Sequence, residues 1–364
     1  MAFKRLDLTG FRNLSSVKLK LLPHGINFFY GRNGSGKTSL IEAIHYCIYG
    51  RSFRSANANH LIQHHAEHLS VFGKIHPLDQ SVIPIGLERS RNGHTKLRVA
   101  GEDRASFASL ARLAPTLLIH SGSHQLLEAG PIFRRKYLDW GAFYLSAEYV
   151  QHWKQYARAL RQRNLLLRKR IFSKELPSWT AELVKYGNQL HQTRQQFVEQ
   201  LLPHLSFVAN RLLHLPALEM SYFPGWQKDL SFAEAVEVSL ANDMAAGSSQ
   251  TGPHRADFNI KMNHIPVKDI LSRGQQKLFV CAMLLAQGML IKQCLEVNPV
   301  YLVDDLTAEL DQVSQARLMA LFLEQQSQFF LTAIDASAVA QFNQGGSLKM
   351  FHVEHGSIVE ERPI

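Results

Sequence analysis

Eight consecutive residues have the types and spacing needed to hold a chain of phosphate groups: Gly31, Arg32, Asn33, Gly34, Ser35, Gly36, Lys37 and Thr38. The glycines let the backbone wrap so that its N–H groups point at phosphate oxygens, and a helix that follows adds its positive N-terminus. Lys37 is then placed to reach the β- and γ-phosphates, and the Thr38 hydroxyl to hold Mg²⁺. We therefore expect this loop to bind ATP together with Mg²⁺.

The segments on either side of the loop support that expectation. The apolar run 26–30 predicts a buried strand, and the pattern from about Ser39 to Tyr49 predicts a helix. A strand, a glycine-rich loop and a helix in this order are the context in which the motif binds phosphate.

Two adjacent acids supply the other half of the expected chemistry. The apolar run 300–303 predicts a strand that ends in Asp304 and Asp305. An acid at the end of such a strand can hold Mg²⁺ through water beside the phosphates, and we assign that role to Asp304. Asp305 is the candidate for orienting the attacking water, with Glu309 as the next candidate. This position resembles that of the catalytic base in ABC ATPases, most of which carry Glu there. Since Asp is one methylene shorter, we expect slow hydrolysis.

A second anion site is predicted where Ser272, Arg273, Gly274 and Gln275 open a helix. These residues resemble the signature motif of ABC ATPases, with Arg273 at the usual second glycine. In those proteins the motif binds the γ-phosphate held by a second subunit. The resemblance therefore implies an ATP-dependent homodimer. The run 308–311, which ends in Asp311, resembles the D-loop that crosses such an interface.

The patterning predicts an α/β protein in three parts. Residues 1–130 and 246–364 are expected to form an ABC-type, SMC-like ATPase head, and residues 131–245 an inserted helical domain. Within the insertion a series of residues steps by three or four positions, which predicts one packed helix face: Trp153, Tyr156, Leu160, Asn164, Leu167 and Ile171. We expect Pro177 to break the pattern and a second helix to return as an antiparallel hairpin.

Basic charge is concentrated in the helical middle. The chain has 40 Lys and Arg against 30 Asp and Glu, and between residues 134 and 211 the counts are 14 against 5. Such a surplus favours a polyanionic partner, and we expect DNA contacts from Arg161, Arg168 and Arg170. The alternative is an ordinary solvated helix face.

Other features indicate a cytoplasmic protein with no membrane partner. Cys47, Cys281 and Cys294 have no metal-binding or disulfide spacing, and no stretch is expected to reach the 18 or more apolar residues that span a bilayer. His60, His64 and His68 step by four, but no fourth zinc ligand is apparent, so we interpret them as solvated or partly packed side chains.

Nearly the whole chain resembles the RecF family of SMC-like ABC ATPases. Beyond the loop and the acids, the resemblance rests on residues 10–13 (GFRN), 134–141 (RRKYLDWG), 251–257 (TGPHRAD) and 350–354 (MFHVE). It implies an ATPase that dimerises on DNA near single-strand–duplex junctions and helps to load RecA at gaps together with RecR and RecO. The implied setting is recombinational repair, replication maintenance and SOS induction.

Two departures from related patterns bear on the rival functions. Ser121-Gly122 stands where the family usually has Pro-Glu, so no lobe-connecting acid is assigned. The segment after residue 334 lacks the switch histidine of transporter ATPases, which argues against a transporter motor subunit. Another SMC-like clamp ATPase remains the alternative. A nuclease is not expected, because no additional acidic metal cluster is apparent.

Overall fold

The computed structural model describes residues 1–76, 81–103, 106–169, 174–305, 310–337 and 348–361. The strands, in chain order, are β1 (Ala2–Phe11), β2 (Leu14–Lys20), β3 (Gly25–Tyr30), β4 (His68–His76), β5 (Ile83–Ser90), β6 (Thr95–Val99), β7 (Thr116–Ile119), β8 (Leu218–Phe223), β9 (Asp257–Met262), β10 (Ile265–Pro266), β11 (Val300–Val303), β12 (Gln328–Ala333), β13 (Leu348–Glu354) and β14 (Ser357–Glu361).

The α-helices are α1 (Lys37–Tyr49), α2 (Phe107–Leu113), α3 (Gln125–Glu128), α4 (Pro131–Leu145), α5 (Tyr149–Lys169), α6 (Glu175–Leu213), α7 (Phe232–Val238), α8 (Leu240–Ala246), α9 (Val267–Ile270), α10 (Arg273–Leu295) and α11 (Gln312–Glu324). Short 3₁₀ turns occur at Ala58–Leu61, Ser121–His124 and Pro253–Arg255.

The chain divides into two compact units at positions other than the predicted 131 and 246. The first unit contains Met1–Ser123 and Ile291–Ile364, and the second contains His124–Leu290. Packing within the second unit explains the difference. The Tyr137 hydroxyl on α4 donates to the Met283 carbonyl on α10 at 2.8 Å, and the Gln287 amide donates back to the Tyr137 carbonyl at 3.2 Å. Most of α10 is thereby held with the helical middle of the chain.

The central sheet of the first unit has the order β14-β13-β3-β12-β11-β7. Strands β13, β3, β12, β11 and β7 run parallel to their neighbours, and only the β13–β14 pair is antiparallel. The parallel strands are near-continuous apolar runs because both faces of the sheet are covered; β12 is buried at all of its positions. Since β12 lies between β3 and β11, the loop that follows β3 and the acids that follow β11 are on either side of the end of β12.

A second, antiparallel sheet in the same unit has the order β2-β1-β4-β5-β6. Strand β4 alternates between buried and less buried positions, as expected of a half-covered strand. The two sheets are tied by the buried Gln328 side chain, which accepts from the Phe3 backbone N–H at 2.7 Å and donates to the Phe3 carbonyl at 2.8 Å. The strand predicted at residues 26–30 is confirmed as β3, which begins one residue earlier, at Gly25.

The helical hairpin predicted for the second unit is confirmed, but its second helix begins earlier than expected. Helix α5 ends at Lys169 and α6 begins at Glu175, so Pro177 lies in the first turn of α6 rather than at the break. A first turn tolerates proline because the backbone N–H that proline lacks has no partner within the helix there. Trp153 also departs from its predicted packed face and is 46% exposed, whereas Leu167 is fully buried.

Buried arginines on the hairpin form ion pairs with helices on either side of it in the chain. Arg163 on α5 and Asp243 on α8 have fully buried side chains and pair at 2.7 Å. Arg163 also donates to the Ser249 hydroxyl at 2.6 Å. Arg194 on α6, likewise buried, donates to the Asp139 carboxylate and to the Pro253 carbonyl at 2.7 Å. Part of the basic surplus of this region is therefore neutralised inside the unit.

Helix α10 corrects the expectation that no segment is apolar enough to span a bilayer. By length and composition it could cross a membrane, with a mean hydropathy of 1.8 over its most apolar stretch. That stretch is 67% buried inside the protein, as in the core helix of a globular domain. Burial on several sides explains why its sequence is apolar nearly all round.

The Arg163–Asp243 pair generates a stability prediction. We expect Asp243→Ala to lower the free energy of unfolding by about 3–5 kcal/mol, because it leaves the Arg163 charge buried without a counter-ion. Urea denaturation followed by circular dichroism measures the change. Asp103→Ala is the control: Asp103 pairs with Arg98, but both side chains are about half exposed, and little change is expected. Equal shifts for the two variants would contradict the prediction.

Candidate functional site

The predicted phosphate-binding loop, residues 31–38, connects β3 to α1 in the first unit. Its first glycine, Gly31, has φ +152°, and a Cβ atom there would come within 2.1 Å of the Val353 carbonyl on β13. Any other residue would therefore push the loop away from the sheet. Lys37 begins α1, two residues earlier than predicted, so the N-terminus of that helix directly follows the glycines. This is the geometry that presents backbone N–H groups to a phosphate.

Lys37 is held inside the loop. Its ammonium group donates to the Gly31 carbonyl at 2.6 Å and to the Arg32 carbonyl at 3.0 Å, and the side chain is only 7% exposed. Burial lowers the pKa of this ammonium, while the nearby carboxylates of Asp305 and Asp304 oppose that shift. The cation is thus kept at the centre of the loop by backbone dipoles rather than by a direct ion pair.

The Asp304 carboxylate, which follows β11, is hydrogen-bonded to the last residue of the loop, Thr38. Its Oδ1 accepts from the Thr38 hydroxyl at 3.0 Å and from the Thr332 hydroxyl at 2.8 Å. Burial raises the pKa of this carboxyl, and the two hydroxyl donors oppose the shift. The structure therefore brings together Thr38 and Asp304, the two residues predicted to hold Mg²⁺. Hydroxyl and carboxylate oxygens are the hard ligands that this ion prefers, so the donor set fits it.

Thr332 was not identified from the sequence, although it organises both acids. It lies near the end of β12, and its hydroxyl donates to Asp304 and accepts from the Asp305 backbone N–H at 2.9 Å. The sequence feature that could have identified Thr332 is a single hydroxyl residue in the otherwise apolar end of a fully buried strand. Asp305 itself has φ +53°, so the chain turns sharply after Asp304. That left-handed conformation, which Asp adopts more readily than most residues, directs Asp305 away from the line of β11.

Two further turns of the chain form hydrogen bonds with the loop. The Asn13 amide, in the turn between β1 and β2, donates to the Gly34 carbonyl at 3.2 Å and accepts from the Ser39 hydroxyl at 2.8 Å. Gly356, in the turn between β13 and β14, donates its backbone N–H to the Ser35 carbonyl at 2.9 Å. A Cβ atom on Gly356 would come within 2.1 Å of the Asn13 carbonyl. The two turns and the loop therefore form one close-packed backbone assembly.

A buried acid on α1 fixes the segments around the site. Glu42 has a fully buried side chain that accepts from the Arg12 guanidinium, with one bond at 2.8 Å, and from the Ser52 hydroxyl. Arg54 lies 3.6 Å from the same carboxylate, and its charge opposes the rise that burial causes in the pKa of Asp304. The motif at residues 10–13 thus has a local role: Arg12 and Asn13 anchor the β1–β2 turn to α1.

The predicted signature residues open α10 in the second unit. Ser272 and Gln275 form a reciprocal cap, in which the Ser272 backbone N–H donates to the Gln275 side chain at 2.9 Å and the Gln275 N–H to the Ser272 hydroxyl at 3.4 Å. Ser272, Arg273, Gly274 and Gln275 are all exposed. The helix N-terminus is therefore accessible to an anion from outside this unit.

The motif at residues 251–257 is held in place by hydrogen bonds to other residues of the second unit. The Tyr156 hydroxyl lies 2.7 Å from His254 Nδ1, and His254 Nε2 lies 3.0 Å from the Ser249 carbonyl. Burial lowers the pKa of His254 to about 4, so this imidazole stays neutral at physiological pH. Arg134 adds a bidentate pair to Asp257.

The remaining predicted residues have mixed outcomes. Asp311 caps α11 by accepting from Ser314 N–H at 2.9 Å, and this bond lowers the pKa of the Asp311 carboxyl. Its expected role across an interface stays a prediction. Arg161 and Arg168 are exposed on α5, while Arg170 and Glu309 lie outside the described residues. His64 and His68 lie outside the 3₁₀ turn that contains His60, so the three do not share a helix face.

Comparison with known proteins identifies relatives over nearly the full length. Residues 2–358 match the family described as the RecF/RecN/SMC N terminal domain. A protein of Shewanella halifaxensis named DNA replication and repair protein RecF is 38% identical over 358 residues, covering 98% of each chain. A protein of Stutzerimonas stutzeri with the same name is 38% identical over 362 residues, covering 99% of this chain and 98% of the relative.

Solved structures give the same grouping. The RecF-ATP structure of a recombination mediator protein in the RecFOR pathway superposes with a TM-score of 0.87 at 25% identity, covering 99% of this chain and 98% of that one. An SMC head bound to the C-terminal winged-helix domain of ScpA superposes with a TM-score of 0.58 at 16% identity, covering 99% and 98% of the two chains. The second likeness concerns the fold alone.

The burial of Asp304 predicts opposite effects of one substitution on stability and on function. Asp304→Asn should raise the melting temperature of the nucleotide-free protein and abolish Mg²⁺-dependent ATP binding. Because burial raises the folded-state pKa of Asp304, the proton-linked stability is present at low pH and is lost as pH rises through that pKa. The gain from Asn should therefore be larger at pH 7 than at about pH 4, near the ordinary pKa of Asp.

Differential scanning fluorimetry in EDTA at both pH values measures the first effect, and ATP titration with Mg²⁺ measures the second. Asp305→Asn is the paired variant: it should keep ATP binding and slow turnover. A melting temperature that falls in Asp304→Asn would show that the carboxylate is net stabilising and would contradict the prediction.

The close packing of Gly356 predicts that this residue affects nucleotide affinity, although it is far from the loop at residues 31–38 in the sequence. Gly356→Ala should weaken ATP binding about 10-fold, equivalent to roughly 1.4 kcal/mol, because the new Cβ displaces the turn that bonds to Ser35. Gly93→Ala is the matched control. Gly93 also has positive φ, +92°, but nothing lies within 4 Å of a Cβ there, so ATP affinity should not change. Similar losses in both variants would mean that backbone strain alone is responsible.

Proposed function

The chain belongs to the RecF family of SMC-like ATPases, and we propose that it is an ATP-dependent DNA-binding protein of recombinational repair and replication maintenance. The observation that carries this proposal is the arrangement of the loop, Lys37, Thr38 and Asp304 in the first unit. Loop, cation, hydroxyl and acid meet at the ends of three neighbouring parallel strands. Relatives with 38% identity over nearly the whole chain are named DNA replication and repair protein RecF.

The site would bind ATP with its phosphates wrapped by residues 31–38. Lys37 would turn from the loop carbonyls toward the β- and γ-phosphates, and Thr38 and Asp304 would hold Mg²⁺, which neutralises charge that develops on the phosphates. Asp305 would orient the attacking water. The shorter reach of Asp compared with Glu supports slow hydrolysis of ATP. We further propose that DNA binding stimulates this hydrolysis.

Two copies would pair to complete each nucleotide site. The signature residues of one subunit, with Ser272 and the first N–H groups of α10 exposed, would bind the γ-phosphate of ATP held by the loop of the other. Asp311 would lie at the same interface. ATP would thereby control dimerisation, because its γ-phosphate is the group that both subunits contact.

DNA would be bound through its phosphates, with Arg161 and Arg168 among the contacts. We infer a preference for gaps and single-strand–duplex junctions, and action with RecO and RecR to help load RecA. The similar RecF-ATP structure is of a protein of the RecFOR pathway, which supports these partners. Membership of a DNA-repair family supports a cytoplasmic location and disfavours a transporter motor; ATP turnover stimulated by duplex DNA but not by membrane vesicles would separate the two.

A mixing experiment tests the dimer. Ser272→Arg should still bind ATP as a monomer but fail to pair, because the bulky cation blocks the pocket for the partner's γ-phosphate. Lys37→Met should also fail, because its loop no longer holds ATP. Mixed together, they should give some ATP-dependent heterodimer on gapped duplex DNA, since one composite site then has an intact loop and an intact signature. Light scattering with and without ATP measures the pairing.

Ser231→Arg is the matched control for this experiment. Ser231 is an exposed helix cap of the same kind on α7, with the same reciprocal bonding to Glu234, and it lies outside the signature. It should dimerise normally. If Ser272→Arg pairs with ATP as well as the parent protein does, residues 272–275 do not act across a dimer and the proposal fails.

A further inference from the structure

An exposed tryptophan lies beside a row of cations on α5. Trp153 is 46% exposed although the sequence predicts it on the packed face with Tyr156, which is 4% exposed. Within the described ranges its ring stacks on no other aromatic ring and carries no cation, and its indole N–H has no acceptor. Packing inside the second unit therefore does not explain why a large aromatic residue occupies this position.

The surroundings of Trp153 are strongly basic. Helix α5 contains no Asp or Glu. Its exposed cations are Lys154, Arg158, Arg161, Arg168 and Lys169. At 100° per residue, Trp153, Lys154, Arg161 and Arg168 lie within about 100° of arc on one side of the helix. Two turns, or about 12 Å, separate Trp153 from Arg161.

The ring face of Trp153 is left uncovered by the next turn. Helical side chains lean toward the N-terminus, so the residue four positions later covers a given side chain. That residue is Ala157, whose methyl group is too small to cover an indole. The nearest acid along the chain, Glu148, is 3.7 Å from His152, which is on a different side of the helix. The face therefore combines an open aromatic surface with positive charge.

We propose that this face, formed by Trp153, Lys154, Arg161 and Arg168, binds an unpaired stretch of DNA, with one base stacked on Trp153 and the adjacent phosphates on the cations. Every base has a π-face that can stack on an aromatic side chain, but bases within a duplex are already stacked on their neighbours. The indole therefore distinguishes unpaired from paired DNA, whereas the cations attract both. A hydrophobic protein partner fits less well, because cations rather than other exposed apolar residues flank the ring.

This inference rests on the proposed DNA binding and adds which side chain meets the single strand. The test uses the full chain with ATP, a single-stranded oligo(dT) and a blunt duplex of the same length. Trp153→Ala should bind oligo(dT) roughly 10-fold more weakly, the loss of one stacked base, and bind the duplex unchanged. Trp153→Phe keeps a ring and should lose much less. Arg161→Gln should weaken binding to both DNAs and reduce the salt slope by about 1.

Phe207→Ala is the matched control. Phe207 is an exposed aromatic of the same unit, 48% exposed with Arg211 5.8 Å from its ring centroid, but it is not on α5. It should leave both affinities unchanged. Tryptophan fluorescence gives a second readout: oligo(dT) should quench the emission of the parent protein, and the quenching should be smaller in Trp153→Phe.

The outcomes separate this inference from the function on which it rests. Unchanged oligo(dT) affinity in Trp153→Ala, or an equal loss on the duplex, overturns the stacking role while DNA binding stands. Melting temperature and ATP-driven dimerisation check that the variant is folded. A parent protein that binds neither DNA overturns the proposed function and this inference together.

Discussion

The proposed nucleotide site depends on one buried carboxylate that accepts hydrogen bonds from two hydroxyl groups. Asp304 accepts from Thr38 at the start of α1 and from Thr332 at the end of β12. These bonds join the ends of three adjacent parallel strands, because β12 separates the strand of the loop from the strand of the acid. A bare carboxylate at this depth is costly without donors. The sheet order, the apolar strands and the position of the loop all serve to place these oxygens together.

Much of this arrangement could be predicted from the sequence because its signals are local. Gly31 to Thr38 are contiguous, Asp304 ends a short apolar strand, and Ser272 with Gln275 has the spacing of a helix cap. Thr332 could not be found in this way. Its function comes from the position of β12 between two other strands, and a strand order of β3, β12 and β11 is not encoded in any short segment.

In the second unit, sequence patterns predicted the burial of individual side chains less well. Counting charges predicted a basic surface, but Arg163 and Arg194 are buried and paired with Asp243 and Asp139. A helical repeat predicted that Trp153 is packed, yet it lies at the margin of that face and is half exposed. Periodicity fixes the side of a helix to within tens of degrees, and at the margin a neighbouring helix decides what is covered. The start of α6 before Pro177 was missed for a similar reason, since proline is tolerated in the first turn of a helix as well as at its break.

The packing of Gly356 against Ser35 and Asn13 also has a consequence for the synthesis of the protein. The loop and the turn that supports it are separated by most of the chain, so a ribosome makes the loop first. At roughly 5–20 residues per second, the supporting turn follows on the order of half a minute later. Until translation reaches residue 300, the nascent chain has all eight loop residues but lacks β11, β12, β13 and the two acids that follow β11. The proposed nucleotide site is therefore incomplete until translation has passed the β13–β14 turn, so the proposed ATP-dependent pairing would involve finished chains rather than nascent ones.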